Sequence, residues 1–143
     1  MTPADRQSRL AQELLRLEDP HERLSYVQDR IRRKPPFSEE LRTENNRIKG
    51  CLTKVWLHSN LLDGRCVFEV DSESAMVRAL ASLVAELFSG ATPQEALNFR
   101  STILEHSRLE AKITPTRRQG LAHLETAILA FASSCLPPSS PCT

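Results

Sequence analysis

Cys51 is the residue whose type and place suit chemistry best. It lies in "NRIKGCLTKVW", Asn46 to Trp56, directly after Gly50 and among Arg47, Lys49 and Lys54. Glycine permits a tight turn. A cysteine just behind it is expected on a loop, where reactive groups commonly lie. Basic side chains that approach a thiol favour its anion, which is the nucleophile. Spacing alone does not establish that approach, and free cysteines are among the most buried residue types. A small buried hydrophobe is therefore the competing assignment for Cys51. A cysteine hydrolase would also need a base, usually histidine. His21, His58, His106 and His123 form no recognisable nucleophile–histidine motif. His58 is in the strand leading from Cys51, where a solvent-facing position fits as well. Cys51, Cys66 and His58 follow no established metal-ligand spacing. The four cysteines, Cys51, Cys66, Cys135 and Cys142, contain no C-x-x-C pair, so a zinc ribbon or finger is not expected. Neither a metal nor a cofactor is expected.

The elements that position this cysteine come from an ordinary globular composition. The chain has 143 residues, 40% hydrophobic and 26% charged, with net charge +1. That length supports one domain with a real core. The charge balance does not point to nucleic acid or an anionic membrane. No apolar run approaches the roughly 20 residues of a membrane span. "MTPADRQSRL" lacks the apolar stretch of a signal peptide. The expected location is the cytoplasm, where thiols stay reduced.

Two helices are expected first. Thr2-Pro3 opens one carrying Leu10, Leu14 and Leu17; Asp19-Pro20 opens another carrying Leu24, Val27 and Ile31. "RKPPFSEELRTENN" then reads as a surface loop. The β region follows: a short strand in "NRIKG", then "TKVWLHS" and "RCVFEV" joined by an Asp63-Gly64 turn. Val55, Leu57 and Ile48 are placed on one face, Trp56 and His58 on the other. Cys66, Phe68 and Val70 share a face of the last strand. A helix capped by Asp71 or Ser72 runs to Gly90, with Met76, Leu80, Leu83, Val84 and Leu87 as its apolar stripe. Thr92 to Glu95 has capping-box spacing, and Leu97, Phe99, Ile103 and Leu104 follow with further apolar contacts. Thr114-Pro115 opens a last helix with Leu121, Leu124, Ile128 and Phe131. "SSCLPPSSPCT" is expected to be a disordered tail. The expected architecture is one α+β domain over residues 1–134, a small three-stranded antiparallel sheet packed against helices, with a tail at 135–143. A mostly helical domain with a single hairpin is the alternative.

At this point the sequence resembles a family. "NRIKGCLTKVW", "DGRCVFEVDSESAMVRAL", "TPQEALNF" and "ITPTRRQGL" stand in the order and near the spacing of the SufE family of sulfur-acceptor proteins. The family pattern is close to N-x-I/V-x-G-C-x-S/T-x-V-W. Asn46, Ile48, Gly50, Cys51, Thr53, Val55 and Trp56 match it. The resemblance runs from about Pro20 to near Phe131.

The resemblance implies a fold similar to the iron–sulfur scaffold IscU. It also implies a role in iron–sulfur cluster assembly. A cysteine desulfurase of the SufS or CsdA type, which carries the pyridoxal phosphate, holds sulfur as a persulfide. The SufE thiol, here Cys51, accepts the outer sulfur and carries it to a scaffold such as the SufBCD complex. Such a protein is a transfer protein and desulfurase activator rather than a stand-alone enzyme. The resemblance further implies a cysteine loop tucked inward at rest, hence a partly buried Cys51. Arg117 matches an arginine in a Ser/Thr-Pro-Ser/Thr-Arg pattern, implying partner contact or loop orientation; a surface ion pair is its alternative. Arg118 and Lys112 are further docking candidates. Glu73 matches an acidic position near the cysteine loop, with a helix-terminus acid as alternative. Trp56 and Cys66 are read as packing residues. Leu52 stands where the family often has glutamine, and the expectation is deeper burial of the loop. Two competing functions are a regulatory adaptor that carries no main sulfur flux, and a cluster scaffold, which would need several ligands.

Overall fold

The computed structural model describes residues 1–109, 111 and 113–137. Lys112 and residues 138–143, with Cys142, lie outside the described residues. The elements are α1 (Pro3–Leu15), α2 (Pro20–Arg32), β1 (Val55–Leu62), β2 (Arg65–Ser72), α3 (Ala75–Phe88), α4 (Pro93–Leu97), α5 (Ile103–His106) and α6 (Pro115–Ser134), with a 3-10 turn at Glu39–Leu41. None of the helices is long and apolar enough to cross a membrane among the described residues.

Four helices start in one way. Thr2, Asp19, Thr92 and Thr114 each cap a first-turn N–H with a side-chain oxygen, and each is followed by proline. Thr2 and Thr92 complete the capping box with Asp5 and Glu95. Proline costs nothing there because its missing N–H would have had no helical partner. Helix α3 differs from expectation. Its cap is Ser74, which accepts from the Val77 N–H. Asp71 and Ser72 still belong to β2, and their side chains are engaged elsewhere. Asp71 accepts from Arg42 Nε at 2.8 Å, and the Ser72 hydroxyl donates to the Lys54 carbonyl at 2.7 Å.

The sheet has two strands, not three. β1 and β2 are antiparallel, with Val55 opposite Ser72 and Leu62 opposite Arg65. Asp63 and Gly64 turn the hairpin with φ of 53° and 77°. The expected third strand is reduced to one bridge between Arg47 and Trp56. Its hydrogen bonds run from Ile48 N–H to the Val55 carbonyl and from Leu57 N–H to the Asn46 carbonyl, both 2.8 Å. Two residues later Gly50 takes φ 85°, and the chain leaves the sheet edge. On the opposite edge, Cys66 exchanges 2.7 Å bonds with Gly90 and Ala91, so that part of the edge is covered.

Ile48, Val55, Leu57, Cys66 and Phe68 form the inner face. Helix α3 packs on that sheet and against α2 and α6, burying Leu80, Leu83, Leu87 and Phe88. Trp56 lies on the other face yet is buried. The Arg42 guanidinium stacks 5.3 Å from its ring centroid while holding Asp71.

Arg23 ties α2 to two neighbouring segments. It is buried, and its Nε donates to the carbonyls of Leu14 (3.2 Å) and Leu17 (2.7 Å), at and beyond the end of α1. Its Nη1 reaches the Ser107 carbonyl at 3.4 Å. Arg23→Met keeps much of the packing but leaves those carbonyls unsatisfied. The expected cost is about 1–3 kcal/mol, read as a lower urea midpoint with unchanged slope.

Candidate functional site

Gly50 and Cys51 form the bend between the bridge at Arg47 and strand β1. The positive φ of Gly50 turns Cys51 toward α6. Its half-buried thiol donates to the Gly120 carbonyl at 3.6 Å. A Cβ on Gly120 would lie 3.3 Å from the Cys51 sulfur. Glycine in a helix interior costs stability relative to alanine, and here its absent side chain admits the thiol. Gly50 is equally close-packed: a Cβ there would lie 2.9 Å from the His123 imidazole. Helix α6 therefore seats the loop through Gly120 and His123.

The loop borders a groove of about 390 Å³. Its floor is apolar, formed by Val77, Leu80 and Ala81 of α3 with Leu121 and Leu124 of α6. Thr116, Arg117 and Leu52 stand at its rim. At the far end of the loop, the Lys54 carbonyl accepts from the Ser72 hydroxyl and from the Glu73 N–H at 3.4 Å. The Lys54 ammonium lies 3.8 Å from the Glu73 carboxylate.

Burial pushes the Cys51 thiol above its ordinary range, and the nearby Arg47 guanidinium opposes this without prevailing. Of the three basic neighbours in sequence, Arg47 is the one whose charge acts on the thiol, while Lys54 is turned to Glu73. The resting thiol is thus held protonated at neutral pH. Alkylation of Cys51 in the free protein is expected to rise with pH to a midpoint above that of an ordinary thiol, measured by iodoacetamide labelling and peptide mass analysis. The same upward shift makes the neutral thiol the form that favours folding. Its contribution is present below the unfolded pKa and is lost as pH rises through the folded one.

The structure brings Cys51 and Arg117 to one groove. The Arg117 guanidinium lies 2.8 Å from the Met76 sulfur. Glu73 sits apart from that groove, before the α3 cap, against Lys54. Arg118 pairs with Glu105 at 3.6 Å. His58 lies opposite Glu69 on the hairpin. Cys66 is fully buried. Cys135 caps the C-terminus of α6. Leu52 corrects an expectation: it is 88% exposed rather than deepening the loop's burial. Gly120 was not singled out from the sequence, and His123 was weighed there only as a base for Cys51. A glycine inside a helical pattern was the available signal for the first. Among the described residues, no three His, Cys, Asp or Glu side chains are grouped to hold a metal.

A family model described as SufE, Fe-S metabolism associated domain, matches residues 8–132. The chain belongs to the SufE family. An uncharacterized SufE-like protein of Synechocystis sp. is 25% identical over 128 residues, covering 87% of this chain and 80% of its own. The solution structure of a hypothetical protein from Thermus thermophilus superposes with a TM-score of 0.76 at 20% identity. It covers 94% of this chain and 97% of its own, and it supports the fold. Membership associates this SufE-family protein with iron–sulfur metabolism. The match also starts earlier than the resemblance read from the motifs, taking in most of α1.

Proposed function

We propose that this protein is a cytoplasmic persulfide carrier that accepts sulfur on Cys51 from a SufS- or CsdA-type cysteine desulfurase. It stimulates that enzyme and delivers the sulfur to a SufBCD-type scaffold or another acceptor for cluster assembly. The observation that carries the reading is a single thiol seated on a tight turn beside an apolar groove. Sulfur transfer needs one nucleophilic sulfur and access to the donor. The Cys51 thiolate attacks the outer sulfur of the donor persulfide. A new S–S bond forms on Cys51, the donor's S–S bond breaks, and the donor thiolate leaves and takes up a proton. No electrons are gained or lost overall, so neither metal nor redox cofactor is required of this chain. The pyridoxal phosphate belongs to the desulfurase.

Arg117 lines the same groove as Cys51, which supports its role in this reading as a contact for the docked desulfurase. Glu73 orients the loop through Lys54. Mixing the protein with a SufS-type desulfurase, pyridoxal phosphate and cysteine should add sulfur to the Cys51 peptide in non-reducing mass spectrometry. Omitting cysteine or desulfurase should remove the adduct. Binding and stimulation without any adduct would favour the regulatory adaptor instead.

A further inference from the structure

Leu52 directly follows the acceptor cysteine and is 88% exposed. It stands at the mouth of an apolar groove that no described side chain fills. Burial along the loop alternates: Cys51 and Thr53 are half-buried, Leu52 and Lys54 exposed. Cys51, Leu52 and Thr53 all border the groove, with Leu52 the most exposed of the three. The thiol at rest faces the Gly120 carbonyl, so reaching a sulfur on another protein requires the loop to turn.

We infer that Leu52 is a positioning residue that enters the apolar groove as Cys51 turns outward, so that one rotation exchanges the two side chains. The inference rests on the carrier reading for its purpose, although the rotation itself belongs to the free protein. Exposing the thiol side of the loop is offset by moving leucine from water onto Val77, Leu80, Leu121 and Leu124. Leu52 adds little to the resting state, because it is exposed there. It adds to the outward state, and so raises the outward population.

The test is the rate of Cys51 alkylation in the free protein at fixed pH, read on the Cys51 peptide. Leu52→Gln is expected to slow it about tenfold, the population change that corresponds to losing a good part of one leucine's burial. Leu52→Met should keep most of the wild-type rate. Thermal stability should be unchanged in both, which separates this role from a structural one. A Leu52→Gln rate equal to or above wild type overturns the exchange. If that variant alkylates normally yet accepts sulfur slowly from the desulfurase, Leu52 serves the partner's surface and the exchange is likewise overturned. Alkylation involves no desulfurase, so this outcome stands apart from the carrier reading, which the wild-type sulfur adduct decides.

Discussion

Replacing Cys51 by serine is expected to abolish sulfur acceptance while leaving the fold intact. A serine hydroxyl is smaller and can still donate to the Gly120 carbonyl, which now accepts from the thiol. The folded loop therefore keeps its seat, and the stability change should stay within about 0.5 kcal/mol. The chemistry does not survive, because sulfur exchange requires a thiolate and a neutral alcohol cannot replace it. In a desulfurase assay the carrier reading predicts that Cys51→Ser returns turnover to the desulfurase's own rate and that the mass adduct vanishes. Binding should persist, because Arg117 and the groove are untouched. Continued stimulation by the serine variant would count against the carrier and for the adaptor. Cys66→Ser is the control. Cys66 is fully buried on the inner face of the hairpin, so its loss should affect stability and leave sulfur acceptance on Cys51 in place.

The fold was legible wherever local chemistry decides it. The Thr2-Pro3, Asp19-Pro20, Thr92-Pro93 and Thr114-Pro115 pairs start helices because cap and proline act within one turn. The Asp63-Gly64 turn fixes the hairpin register by its backbone geometry. The start of α3 was misplaced because Asp71 and Ser72, good caps by type, are claimed by Arg42 and Lys54 from outside the helix. The third strand shrank to a bridge because Gly50 turns the chain away. As a candidate, Cys51 was legible through its motif. Its seat was not, because Gly120 and His123 lie some seventy residues downstream: the thiol–carbonyl bond spans 69 positions, and no periodicity links the segments. Leu52 shows the limit of reading burial from residue type, since exposed apolar side chains are common on folded surfaces.

Gly50→Ala is expected to have the largest effect on the site of any substitution that leaves Cys51 in place. Two costs act together. An L-residue at a φ of 85° is strained, by about 1–2 kcal/mol for the left-handed region. The new methyl would also lie 2.9 Å from the His123 ring, so the ring or the loop must move. The ring is half-buried on α6 and borders an open groove, so it must turn to admit the methyl. The resting seat should therefore weaken, releasing the thiol from Gly120. Cys51 alkylation should become faster, and its pH midpoint should fall toward the ordinary thiol value as burial is lost. Global stability should drop by about 1–3 kcal/mol, read from the urea midpoint. Pairing the change with His123→Ala separates the two causes. The double variant should lose the steric part and keep the backbone part, so it falls between wild type and Gly50→Ala. Unchanged alkylation in Gly50→Ala would mean that the turn does not hold the thiol, and that its burial comes from the groove side alone.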